Sequence, residues 1–301
     1  MAGLKELRGR IAAIKSTEKI TSAMKMVAAS RLRRAQDILI KSEKYRSSIY
    51  DTISRIKIAM QKESSDQIEL KPTFLCQEKE KQERYLLVVL TSDKGLCGSY
   101  NNSIGKVALN RLHELLSQGK DVKVITLGRR GYNIFRRHNQ QYIFRNDESV
   151  VNKGVEYSEA IALAEEITSM FKKDEIDVCE VVYSRFKSAL SRDVKSEQIL
   201  PFDLKKVMTD ATDMHNDSGY DFEPGYDALL ETLVPMAFRE YIFDIMINSQ
   251  ASEQGARMAS MDNATRNAGD MINKLTMRYN RLRQGAITTE LTEIIAGAEA
   301  I

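Results

Sequence analysis

The stretch INSQASEQGARMASMDNATRNAGDMINKLTMRYNRLRQGA, residues 247–286, decides the fold. Ile247, Ala251, Met258, Met261, Ala268, Ile272, Leu275, Tyr279, Leu282 and Ala286 fall on alternating steps of three and four. Gln254 and Thr265 occupy the two skipped positions. Such a heptad seam predicts a left-handed coiled coil. The seam is thin and rich in Ala and Met, which suits close, adaptable packing better than a rigid zipper. The remaining faces are polar, with Arg257, Asp262, Arg266, Asp270, Lys274, Arg278 and Arg283.

This pattern sits inside a longer helix. Glu223-Pro224-Gly225 punctuates its start, Asp227 can cap its first turn, and Pro235 is its one early breaker. Residues 227–301 therefore read as one helix, on the order of 110 Å long at about 1.5 Å per residue. A globular domain of this size cannot bury such a helix, so it must pair with another helix and enter a partner. Beyond Gln284 the sequence turns small, apolar and nearly free of cations through Ile287, Leu291, Ile294 and Ile295. A chain end of that kind frays in water unless something holds it.

The amino-terminal segment supplies the second helix. Residues 2–59 lack proline and carry glycine only at Gly3 and Gly9. Leu4, Leu7, Ile11 and Ile14 set one heptad phase; Ile20, Met24 and Val27 are expected to continue it after a stutter. Its outer positions are basic, with Lys15, Lys19, Lys25, Arg31, Arg33, Arg34, Lys41 and Lys44. Long helices at opposite chain ends pair most simply antiparallel, around an insertion.

The insertion alternates strand and helix signals. Residues 85–91, 121–128 and 177–183 read as buried strands, residues 198–201 as an edge strand, and residues 101–118 and 156–173 as helices. That alternation predicts a parallel, Rossmann-like sheet. The expected fold class is mixed α+β and α/β: an antiparallel coiled coil of the two terminal helices with an inserted Rossmann-like α/β domain. The expected domains are an amino-terminal coiled-coil helix at 1–60, a linker at 61–84, an α/β domain at 85–205, a connector at 206–226 and the carboxy-terminal helix at 227–301.

Composition excludes several function classes. With 45 basic and 42 acidic residues the net charge is +3, so any polyanion-binding patch is local. Cys76, Cys97 and Cys179 have no metal-ligand spacing and suggest a reducing compartment. Met1-Ala2-Gly3-Leu4-Lys5 lacks an apolar core segment, so no signal peptide is expected, and no run of about 18 apolar residues exists to span a membrane. The loop Ser92-Asp93-Lys94-Gly95-Leu96-Cys97-Gly98-Ser99-Tyr100-Asn101 follows the first strand, where a glycine-bearing turn can cradle phosphate. It has neither a P-loop ending nor a dinucleotide fingerprint, so a tight turn is expected. Cys97 at a helix start has no histidine near it in sequence and reads as a buried cysteine. Asp210, Asp213 and Asp217 lack the glycine and glutamate of a calcium loop and read as a solvated connector. No catalytic set, metal site or cofactor site is expected.

Two segments resemble a known family. Residues 11–30, from Ile11-Ala12-Ala13-Ile14-Lys15 through Met24-Lys25-Met26-Val27-Ala28, form the first. Ala264-Thr265-Arg266-Asn267-Ala268-Gly269, followed by Tyr279-Asn280-Arg281-Leu282-Arg283-Gln284-Gly285 and the residues to Ile294, forms the second. Both are similar to the gamma subunit of F-type ATP synthase, as is the Gly95–Asn101 loop. The resemblance implies a non-catalytic rotor shaft turning inside the hexamer of alpha and beta subunits. It implies a foot contacting the epsilon subunit and the c-ring, with membrane association only through the complex. It further implies a peripheral location on the cytoplasmic side of the bacterial inner membrane, coupling of proton flow to ATP synthesis or hydrolysis, and no nucleic-acid partner. By motif, Met24, Lys25, Arg257, Arg283, Gln284, Thr288, Glu290 and Thr292 are implied contacts with the alpha/beta hexamer. Gly285 departs from the alanine frequent in the family, and residues 203–223 fit its pattern poorly.

Three other readings compete. A Rossmann-like enzyme with a helical arm requires a substrate constellation that is not found. A nucleic-acid binder on the basic amino-terminal helix predicts salt-dependent binding, yet few aromatics interleave for stacking. A plain structural coiled coil leaves the apolar tip and the inserted domain unexplained.

Overall fold

A computed structural model describes residues 2–63, 74–147, 154–189, 191–204 and 222–299. The elements in chain order are α1 (Ala2–Glu63), β1 (Arg84–Leu90), α2 (Tyr100–Ser117), β2 (Asp121–Leu127), α3 (Arg129–Phe135), β3 (Ile143–Asp147), α4 (Tyr157–Lys172), β4 (Val178–Phe186), β5 (Arg192–Leu200) and α5 (Tyr226–Glu299). Short 3-10 turns lie at Phe74–Cys76 and Gln140–Tyr142. The chain forms two compact units. One combines Met1–Ser30 with Arg257–Ile301, and the other is Arg31–Ala256.

The larger unit is built on a five-stranded sheet of order β3-β2-β1-β4-β5. The first four strands are parallel and β5 pairs antiparallel with β4. Alternation along β1 assigns its two faces. Leu86, Val88 and Leu90 join Ile53, Ile56, Ile167, Phe171, Val234 and Phe238 from α1, α4 and α5. Leu87 and Val89 join Ile104, Ala108, Leu112 and Leu115 of α2. A parallel strand covered on both faces needs an unbroken apolar run, which is why Tyr85 to Leu90 carries no polar residue.

Two fixtures hold the sheet ends. Asp177, almost fully buried, accepts the backbone N–H groups of Glu83 (3.0 Å) and Arg84 (2.9 Å) and Nη2 of Arg84 (2.6 Å). Gly128 follows β2 with φ of 102°, and a Cβ there would stand 2.3 Å from the Thr91 carbonyl oxygen, so only glycine fits.

The sequence reading of β1, β2, β4, α2 and α4 agrees with the structure within a residue or two, except that β4 extends to Phe186. It lacked β3 and α3 and saw only the end of β5. The carboxyl end of the expected linker is packed structure: Leu75 is buried, its carbonyl accepts the N–H of Phe202 (2.7 Å), and Phe74 stands 5.4 Å from Phe171 ring to ring. The acidic positions Asp210, Asp213 and Asp217 lie outside the described residues.

In the smaller unit α1 and α5 pair. Thr265 donates a hydrogen bond to Thr21 (2.8 Å), Lys25 Nζ reaches Asp262 (2.5 Å), and a Cβ on Gly269 would meet the Glu18 carboxylate at 3.5 Å. Ascending positions on α1 meet descending ones on α5, so the pairing is antiparallel as expected. Of the expected seam positions, Met258, Met261, Thr265, Ala268, Ile272, Leu275 and Tyr279 are buried or half-buried. Leu282, expected on the seam, is 45% exposed.

The expected stutter in α1 is absent. Its inner positions are Leu4, Leu7, Ile11, Ile14, Glu18, Thr21, Lys25 and Ala28, an unbroken three-four spacing. Ile20 and Val27 face outward at 57% and 55% exposed, while Thr21 is 9% exposed and Ala28 1%. Polar residues occupy the seam because Thr21 and Lys25 have hydrogen-bonding partners on α5 and Glu18 lies over Gly269, which has no side chain, so hydrophobicity alone points to the wrong stripe.

Candidate partner interface

Two surfaces of the smaller unit present apolar groups that are exposed among the described residues. The first is the outer face of α1. Gly9, Ala12, Ala13, Ser16, Ala23 and Ser30 are exposed and small, with Ile20, Met26 and Val27 exposed beside them. A helix face that meets only water carries long charged side chains, whereas this one is smooth and flanked by Lys15, Lys19 and Arg31.

The second surface is the end of α5. The register of the threonine pair and the ion pair sets Ala2 of α1 opposite the turn near Gly285. The rest of α5 therefore runs on without α1 beside it, and every residue from Ile287 to Ala296 is exposed. Ile287, Leu291, Ile294 and Ile295 are all about half exposed or more. Spacings of four and three place Ile287, Leu291 and Ile294 along one side of the helix. Isolated exposed apolar side chains are ordinary, but an aligned row on an unpartnered helix marks an interaction surface.

All eight residues implied by the family resemblance lie in this smaller unit. Lys25 is not free: its ammonium binds Asp262, and Asp262 also pairs with Arg266. Those bonds, that of Lys25 foremost, hold the Asp262 carboxyl below its ordinary pKa. Met24 and Arg257 are half-buried. Arg283, Gln284, Thr288, Glu290 and Thr292 share one exposed stretch of α5, which Met24 and Lys25 do not join. The hydroxyls of Thr288 and Thr292 donate to the carbonyls of Gln284 (2.9 Å) and Thr288 (2.8 Å), within the helix itself. The sequence reading missed Ile20 and Val27 as outward residues; their only signal is that they are apolar and off the unbroken heptad.

Among the described residues, the loop after β1, at the strand ends where a doubly wound sheet normally binds ligands, does not form a nucleotide cradle. Leu96 and Gly98 have left-handed backbone (φ 65° and 58°), and the loop closes on itself. Asn101 accepts the Ser92 N–H (2.9 Å), and Ser92 Oγ donates to the Lys94 carbonyl (2.7 Å). Cys97 is buried with Asn101 Nδ2 at 3.0 Å from its sulfur, a packing role. Burial pushes the Cys76 thiol up to about 12 and raises that of Cys179 as well. The crevice itself is filled by α5. Tyr100 Oη bonds Ser249 Oγ (2.7 Å), Ser252 donates to the Ser184 carbonyl (2.9 Å), and Ala256 packs with Leu87 and Val182. Among the described residues no group of histidine, cysteine and carboxylate side chains could hold a metal ion, and no helix is long and apolar enough to cross a membrane.

The family described as ATP synthase matches residues 3–301. Gamma chains of ATP synthase from Paramagnetospirillum magneticum (41% identical) and Rhodospirillum rubrum (42% identical) align over the whole of both chains. Among solved structures, a chain of the central stalk and c-ring of Tetrahymena thermophila mitochondrial ATP synthase matches with a TM-score of 0.57. It is 25% identical and covers 81% of this chain and 99% of its own. A chain of Euglena gracilis mitochondrial ATP synthase has the same fold, with a TM-score of 0.65 at 17% identity, covering 99% and 94%. The chain belongs to the ATP synthase gamma-chain family.

Proposed function

We propose that this chain is the central shaft of a rotary ATP synthase, turning within an alpha/beta hexamer and coupling proton flow through a c-ring to ATP synthesis or hydrolysis. The observation that carries the reading is the unpartnered end of α5 with its apolar row, a surface that needs a surrounding partner. In this reading the chain performs no chemistry. The closed Gly95–Gly98 loop and the crevice filled by Ser249, Ser252 and Ala256 support that view. The smaller unit enters the hexamer, with Met24, Lys25, Arg257, Arg283, Gln284, Thr288, Glu290 and Thr292 as contacts. The larger unit faces the epsilon subunit and the c-ring, through which the chain attaches to the cytoplasmic side of the bacterial inner membrane. A single exposed ion pair is worth at most about 1 kcal/mol, so torque comes mainly from the shape and stiffness of the paired helices.

The test mixes the purified chain with matching alpha and beta subunits and compares full length with a chain ending at Arg281. Full length is expected to assemble a cooperative ATPase and the truncated chain a weaker one. A full-length chain that neither joins alpha and beta nor alters their turnover overturns the reading.

A further inference from the structure

Two seams run along α1 between Ile14 and Ala28, one residue out of phase. The seam in use is polar, through Glu18, Thr21 and Lys25. The other, Ile20, Met24 and Val27, is apolar, with Ile20 and Val27 turned to solvent. One residue of helix corresponds to a rotation of about 100°. Hydrophobic burial taken alone selects the apolar stripe, yet the structure holds the opposite rotation.

Three contacts oppose the apolar choice. Thr265 donates to Thr21, Lys25 reaches Asp262, and Glu18 lies over Gly269. Asp262 is itself held by Arg266 one turn on, so its carboxylate is already in place for Lys25. We propose that this polar layer is a phase selector. It keeps α1 in the rotation that leaves Ile20 and Val27 outside the coil, against an alternative in which Ile20, Met24 and Val27 occupy the places of Thr21, Lys25 and Ala28. The alternative needs consecutive three-residue steps after Ile14, which locally overwind the coil and keep it a minor state. A polar residue on a coiled-coil seam that fixes geometry at the expense of packing is an established device in general. The inference stands apart from the rotor reading, because it concerns only α1 and α5 of the free chain.

Disulfide formation in the full-length chain tests it, with the half-buried Cys76 replaced by Ser. The pair Thr21→Cys with Thr265→Cys reports the rotation in use; Ile20→Cys with Thr265→Cys reports the alternative. Both pairs remove the threonine hydrogen bond, so residue 25 is the only variable. With Lys25 present, the first pair is expected to oxidise at least tenfold faster. Lys25→Ala is expected to raise the second rate relative to the first by about tenfold. Lys25→Leu puts an apolar side chain on the seam in use and is expected to lower that ratio. Lys25→Gln keeps the length without the charge and carries the same expectation as Lys25→Ala should the latter lose helicity. An unchanged ratio in the Ala or Gln variant overturns the proposal. So does a shift in the same direction for Lys25→Leu, which marks a merely lost ion pair.

Discussion

Asp177 shows how one side chain fixes where the sheet begins. It sits just before β4, and its carboxylate gathers the N–H groups of Glu83 and Arg84 and the Arg84 guanidinium at the start of β1. Burial alone would raise its pKa. The Arg84 side chain and the two N–H groups outweigh burial and hold it at about 2. A carboxyl depressed in the folded state contributes stability above its ordinary pKa near 4 and loses it as pH falls through 4 toward 2. Allowing for solvent screening at a sheet end, the contribution is about 1–2 kcal/mol. Asp177→Asn, which keeps shape without charge, is expected to lower stability by that amount at pH 7. Urea unfolding should show the variant losing less stability than the parent between pH 5 and pH 3. Equal losses in that window would mean that other carboxylates carry the acid sensitivity.

Long helices were the most legible elements, because period, length and the absence of proline all agree. The predicted bounds of α5, 227–301, stand beside an observed Tyr226–Glu299, and those of α1, 1–60, beside Ala2–Glu63. Elements without an apolar signature were lost. β3 is a short edge strand with polar Arg145, Asn146 and Asp147, and most of β5 alternates charged residues on the opposite edge. α3 spans two turns and carries Gly131, too little for a period to show. The phase of α1 failed for a different reason: polar residues on a seam are readable only with their partners, and these lie some 240 residues away. The candidate interface was half legible, since motif spacing marks Arg283 to Thr292 but exposure marks Ile20 and Val27. Gly285 gives a test at this scale. A Cβ there meets nothing within 4 Å, so Gly285→Ala gains helix propensity worth about 1 kcal/mol without a clash. Amides of residues 280–295 are expected to exchange hydrogen about fivefold more slowly in the free chain. Unchanged exchange would show that the end of α5 does not open by local helix fraying.

The whole chain separates apolar surface by purpose. In the larger unit the sheet carries its apolar residues on both faces under helices, and Leu86, Leu87 and Val89 are fully inaccessible. In the smaller unit a thin seam closes α1 against α5, while Leu291 and Ile294 remain 54% and 67% exposed. Stability and assembly should therefore respond to different substitutions. Leu291→Gln with Ile294→Gln removes only contacts along the exposed helix surface, so the free chain is expected to unfold within about 0.5 kcal/mol of the parent. In the complex the same two side chains become buried apolar anchors, each worth about 1.5–3 kcal/mol when fully covered. Even half that burial amounts to at least a tenfold weaker association with the alpha/beta hexamer. Titrating the chain into alpha and beta subunits while following ATPase activity separates the two effects. Loss of assembly with unchanged unfolding places the bearing on this row. Unchanged assembly moves it to the smooth outer face of α1, where Ala23→Glu would then be the disruptive substitution. Loss of both would mean that the end of α5 packs on its own chain, contrary to its exposure.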